Sequence, residues 1–442
     1  MNNALAKNYS LTSLLAFAFP NMLMMLCLSL YTIVDGTFIS RYVGTTALSA
    51  ANIVYPAASI GMAIAIMIAT GGNAIIARLM GENKYQEARA SFSFLILVEI
   101  TISILLAIFS NLFIDNIISV LGATPQQFPL CRTYASIIFS FAPCYFLQTA
   151  FQTFFVTAGK PVIGLAVTMI SGITNVVLDY LFIVPLQMGI AGAAIATGIG
   201  YSFSALVGLT YFTFVRNRHL YFVKPHAEQK LLLHTCTNGS SEMVTNLANS
   251  VTTFLFNYTF LKFYGEDGVA AITIILYFQF IFTALFFGFS NGIAPIVSFK
   301  YGEQNYIQLK KLFKNVLIII TVCAILMVIL SQAVIGNILE VFTPAESRVY
   351  QIALQGFHIY SIAFLFMGIS ILASAWFTAL SNGKVSAIIS FTRTFLVLVG
   401  AILILPAFMG ELGAWLAVPC AEIIGILISV YCLKKYKNFY HY

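Results

Sequence analysis

Residues 77–92 read ARLMGENKYQEARASF, and residues 298–313 read SFKYGEQNYIQLKKLF. Each follows a long apolar run, and the Gly-Glu steps at Gly81 and Gly302 stand 221 residues apart. Two further pairs keep nearly the same spacing. TAGKPVIG (157–164) answers LSNGKVSA (380–387), and VPLQMGIAGAAIA (184–196) answers LPAFMGELGAWLA (405–417). Three pairs in one order and one register are not chance, so the chain is a duplicated unit.

The rest of the chain says what solvent that unit lives in. Of 442 residues, 60% are hydrophobic and only 8% charged, which a soluble domain would have to display as large adhesive patches. Lipid is the expected solvent. Taking roughly 20 apolar residues per crossing, twelve spans are expected, near residues 14–39, 48–77, 91–113, 133–157, 162–184, 189–214, 233–261, 269–297, 314–335, 350–377, 385–406 and 411–433. The first run could imitate a signal peptide, but it carries Pro20 and Asp35 and reads as a retained span. Each repeat holds six spans, an even number, so both halves enter the membrane in the same direction as parallel repeats. The expected division is 1–215 (spans 1–6), a linker at 216–232, and 233–442 (spans 7–12). Transporters of that construction bind substrate between the halves.

Charge placement sets the expected orientation. Of 22 Lys and Arg, four (Arg41, Arg132, Lys262, Arg348) fall on one side and Arg393 falls inside a span; the other 17 lie on the side of both termini, which should be cytoplasmic. Trp376 and Trp415 fall near span ends, as an aromatic belt requires. The net charge of +7 is spread between apolar runs, which argues against nucleic acid. Seven cysteines form no CxxC pair, so neither zinc nor a disulfide framework is indicated. There is no Walker-type phosphate loop and no HExxH. Energy must then come from an ion gradient, with no organic cofactor.

Ionisable groups inside spans cost at least about 2.5–3.5 kcal/mol each at the bilayer centre, so each is a functional candidate. Asp35 lies late in span 1 and Asp179 late in span 5, both running outward and reaching similar depth. Asn175 stands one turn before Asp179 on the same face. Thr197 lies about nine residues into the descending span 6, about 13 Å deep at 1.5 Å per residue. Carboxylate, amide and hydroxyl oxygens suit a proton or a small hard cation such as Na+. Two neighbouring carboxylates out of water cannot both stay ionised cheaply, so one proton can be taken and released near neutral pH. The alternative is that Asp35 caps span 1 while Asp179 and Asn175 are structural glue. Against it, the positions one repeat later are Phe256 and Leu403, whereas an architectural pair should occur twice.

The second half offers Glu242 in span 7, Arg393 in span 11 and Glu422 in span 12. An ion pair of Arg393 with Glu422 or Glu242 is geometrically possible, either to fix helix register or to act as a second charged site. Glu99 in span 3 has no evident partner and reads as lipid-facing or helix-bridging. His358 is the single histidine well inside a span. Pro20 removes a backbone bond from span 1 and should kink it, as a hinge or as a static bend.

On "FPNMLMMLCLSLYTIVDGTFISRYVGTTALSAANI" (19–53), "GENKYQEAR" (81–89), "AGKP" (158–161), "NVVLDYLFI" (175–183) and "GIAGAAIAT" (189–197), the chain resembles the multidrug and toxic compound extrusion (MATE) family over essentially its whole length. The resemblance implies twelve transmembrane helices in two six-helix lobes around a central cavity, an all-α membrane protein. It implies an antiporter that exports organic cations against inward H+ or Na+. It carries Asp35, Asn175, Asp179 and Thr197 to the first-lobe cation site, and Pro20 to the bending proline of span 1. Some branches place coupling acids on spans 7 and 10 as well. Glu242 could answer to the first of these, but no carboxylate lies between Val349 and Phe377, which puts that site in doubt.

The expected function is therefore secondary antiport of amphipathic, often cationic compounds by a monomer of a prokaryotic cytoplasmic membrane. The alternative within the same architecture is a flippase for lipid-linked oligosaccharides, whose cavities are cationic rather than acidic. A channel would need a polar stripe through both halves. An enzyme would need a paired catalytic set, and none is seen.

Overall fold

The structure is a computed structural model that describes residues 4–216 and 219–442. Asn217 and Arg218, within the expected linker, lie outside the described residues. Among the described residues ten helices are long and apolar enough to cross a membrane, a bent pair makes an eleventh, and the more polar helix Gln229–Tyr264 completes twelve spans. The first six are Leu11–Val43, Thr45–Gly81, Tyr85–Leu112, the pair Phe128–Ser140 and Ala142–Thr157, Pro161–Ile183 and Gly189–Phe214. The second six are Gln229–Tyr264, Glu266–Gly302, Tyr306–Phe342, Arg348–Ala379, Gly383–Met409 and Glu411–Tyr440. Most outrun their expected bounds by several residues, because the helices continue past the apolar stretch into water.

The repeat is written in the backbone. Gly44 and Gly265, Asn83 and Gln304, Gly159 and Ser381, and Gly189 and Gly410 all have positive φ, between 56° and 120°. Each pair is separated by one repeat length. Left-handed backbone is costly for most residues and ends a helix sharply, so its recurrence at matched turns reproduces the same helix-to-helix connections in both halves.

Span 7 is the least apolar of the twelve. It is 36 residues long, but Thr235, Asn238, Ser241, Glu242, Thr245 and Asn246 dilute its hydrophobic face. A helix this polar is stable in a membrane only where protein covers it. Span 7 accordingly packs on spans 2 and 11. There Asn238 donates to the Thr378 carbonyl at 3.0 Å, and Ser241, Thr378, Ser386, Ser374 and Ser390 form a buried hydroxyl chain.

The two lobes meet along spans 1 and 2 against 7 and 8, through small residues that let backbones touch. A methyl group at Gly71 would overlap the Thr235 carbonyl oxygen, one at Gly239 the Met67 carbonyl, one at Gly81 the Phe299 carbonyl, and one at Gly302 the Arg78 carbonyl. Asn21, next to Pro20, donates to the Gly288 carbonyl at 2.6 Å. All these contacts lie in the half of the membrane nearest the termini. At that same end Lys300, almost wholly buried, donates to the Ala6 carbonyl at 2.7 Å and pairs with Glu303 at 2.8 Å. It thereby ties the segment before span 1 to the second lobe.

Four irregularities interrupt the spans. Span 4 bends by 51° at Phe141; span 10 tightens to a 3-10 turn at Ser361–Ala363. Span 1 ends in a π turn at Ile39–Val43, and span 11 carries one at Thr392–Val397. Span 1 itself runs as helix through Pro20 without interruption from Leu11 to Phe38. The tryptophans sit at span ends but do not form a belt: Trp376 is buried against Phe313 and Tyr442, and Trp415 against Phe260, with its indole N–H donated to Tyr264.

Candidate functional site

The first-lobe cluster is built by spans 1, 5 and 6, with span 4 behind it. Spans 5 and 6 approach closely because Gly200 has no side chain: the Ser171 hydroxyl donates to its carbonyl at 2.6 Å, and Asn175 Cβ lies 3.4 Å from where a methyl would stand. At the bend of span 4 the Phe141 ring fills the space over Gly198, beside Thr197. Asn175 Nδ2 reaches Thr197 Oγ1 at 3.4 Å. Across from them the carboxyls of Asp35 and Asp179 lie close enough to feel each other directly. All four residues singled out by their depth in the sequence thus share one site.

What that site lacks is a donor. One oxygen of Asp35, both oxygens of Asp179 and the amide oxygen of Asn175 are buried without a hydrogen-bond partner. Asp179 is wholly buried, and among the described residues neither acid joins an ion pair. An ionised carboxylate accepts and never donates, so two of them in contact need a proton or a cation between them. The oxygen set fits either. No group of three or more His, Cys, Asp or Glu side chains is gathered anywhere among the described residues, so a multi-carboxylate site for a divalent ion is not formed.

Tyrosines close the site, and the sequence reading passed over them. Tyr31 stands one turn before Asp35 and meets the Tyr201 hydroxyl; Tyr134, from span 4, lies within electrostatic reach of both acids. The signal was present in the four-residue spacing of Tyr31 from Asp35. Pro20 lies far from the acids, beside the Asn21 clamp on the second lobe.

In the second lobe the structure chooses between the two pairings. Arg393 Nη1 bonds Glu422 Oε1 at 2.9 Å, with both side chains more than nine-tenths buried. The arginine stem lies where a side chain at Gly425 would stand, its Cγ 2.9 Å away. The π turn around Arg393 aims it there. Glu242 is buried and feels the Arg393 charge but makes no ion pair with it. His358 is exposed and bonded to Gln332 at 2.5 Å. Of the two readings of Glu99, lipid-facing or helix-bridging, burial removes the first: it faces protein and is 1% exposed.

A family model, MatE, matches residues 20–181 and 243–403, one match in each repeat. The chain is 22% identical over 430 residues to the multidrug export protein MepA of Staphylococcus haemolyticus, covering 96% of this chain and 94% of that one. To MepA of Staphylococcus aureus it is 23% identical over 428 residues, with the same coverage. A crystal structure of a MATE protein in complex with MaL6 superposes with a TM-score of 0.91 at 19% identity, covering 99% of this chain and 100% of that chain. An outward-facing multidrug resistance MATE transporter superposes with a TM-score of 0.89 at 20% identity, over 98% of both chains. These likenesses do not favour the flippase alternative.

Proposed function

The chain belongs to the MatE family of membrane transporters, and from that premise we propose that it exports amphipathic, often cationic compounds by antiport against inward H+. The observation that carries the reading is the donor-less contact of Asp35 and Asp179. A proton shared by the two carboxyls satisfies it most directly; Na+ held by Asp35, Asn175, Asp179 and Thr197 is the other occupant the oxygens admit. Coupling needs only that the ion and the substrate favour opposite-facing states of the lobes. With the termini cytoplasmic, the side that the basic loops favour, the tight glycine seam would close the cytoplasmic side and this conformation would face outward. The membrane would be a bacterial plasma membrane, since the MepA relatives come from bacteria. Opening the cytoplasmic side requires the seam to part and the Asn21 clamp to release, and Pro20, beside that clamp, is the point at which span 1 would then bend.

The test is efflux of a fluorescent organic cation from vesicles holding the purified protein. Accumulation driven by a pH gradient and not by a sodium gradient is expected. Accumulation under sodium alone would assign the site to Na+, and none under either gradient would overturn antiport.

A further inference from the structure

Glu99 sits at the middle of span 3, wholly inside the first lobe, and neither of its carboxyl oxygens has a hydrogen-bond partner. Among the described residues no Lys, Arg or His pairs with it. An ionised carboxylate so placed costs several kcal/mol, so in this conformation Glu99 carries a proton.

Span 4, packed against span 3, brings a hydroxyl and an amide oxygen to this part of the lobe. Tyr145 of span 4 lies within electrostatic reach of Glu99. One turn along the same face, Gln148 buries an amide oxygen that has no donor. The Tyr145 ring packs edge-to-face on Tyr201 of span 6, centroids 5.2 Å apart. Tyr201 in turn meets Tyr31, one turn from Asp35, and Tyr55 of span 2 lies behind Tyr145. Between Tyr145, Tyr201 and Ser110 is a cavity of about 40 Å³, room enough for a bridging water.

We propose that Glu99 is a second proton-binding site of the first lobe, exchanging its proton with the Asp35–Asp179 pair through Tyr31, Tyr201 and Tyr145. In each transfer a hydroxyl accepts one proton and gives up its own, so the tyrosines end as they began. The Glu99 acid gives up its proton, an aspartate carboxylate becomes the acid, and the charge of the lobe is unchanged. The first lobe thereby holds a proton in reserve for the aspartates between ions.

The inference rests on proton antiport, and infrared difference spectroscopy of the full chain in vesicles, on stepping the pH, separates the two. Wild type should show protonated-carboxyl carbonyl bands that change with pH. Glu99→Gln, which keeps shape and removes the acid, should lose one of them and retain the aspartate signal. Tyr145→Phe should keep the Glu99 band but slow its response. If the spectrum of Glu99→Gln matches wild type, or the Glu99 band does not respond to pH, the proposal fails while antiport stands. If Asp35→Asn/Asp179→Asn still accumulates substrate under a pH gradient, the aspartate pair is not the coupling site and the reading this inference rests on fails, whatever Glu99 does.

Discussion

The two lobes descend from one unit and both bury acids, yet they treat them oppositely. The second lobe gives Glu422 an arginine 2.9 Å away and Glu242 the field of that same arginine. The first gives Asp35, Asp179 and Glu99 no cation among the described residues. A buried acid with a fixed counter-charge is a structural member, because moving either charge leaves the other stranded. A buried acid without one must recruit its positive charge from outside, which is what a coupling site does. One fold thus holds a lobe that can titrate beside a lobe that is held together.

The contrast predicts different failures. Arg393→Met should destabilise the protein by about 3–5 kcal/mol, by stranding Glu422, and Arg393→Met/Glu422→Met should recover most of that loss. Thermal unfolding in detergent reads both, and an unchanged midpoint in the single variant would erase the distinction between the lobes. Asp35→Asn and Asp179→Asn should leave that midpoint nearly unmoved. They should instead collapse gradient-driven accumulation, which about 2.3 kcal/mol per charge per 100 mV sets at roughly 50-fold, to equality across the vesicle.

A methyl at Gly71 or Gly239 must push backbones apart, so Ala there should cost the closed seam about 1–3 kcal/mol. Labelling of cysteines introduced along the termini-side half of span 7 would rise as the population shifts. The exposed Arg132–Asp115 pair should matter least: Asp115→Asn should change stability by no more than about 1 kcal/mol, and a larger effect would mean surface charge had been undervalued throughout.

Duplication, span count and the four-residue oxygen cluster were legible in the sequence. Apolar run length, a constant offset and depth along a helix need no knowledge of neighbours. The rotational position of Glu99 was not legible, because a single acid in an apolar run looks the same facing lipid or protein. The choice of Glu422 over Glu242 was hidden for a related reason, since it depends on a local departure from α-helical winding that no residue pattern around Arg393 announces. The tryptophans show the same limit: they do lie near span ends, but what covers them is tertiary.

That winding in span 11 has an evolutionary corollary. A π turn at Thr392–Val397 amounts to one residue more than a plain α-helix would use. Deleting a single residue there would leave a perfectly good membrane helix of nearly the same length. Because the π turn absorbs its extra residue locally, the helix on either side would keep its facing, and only the residues of the turn, Arg393 among them, would be re-aimed away from Glu422. A one-residue indel at this place would pass every hydropathy test and still rewire the lobe, so relatives should be aligned here by the position of the arginine, not by the length of the helix.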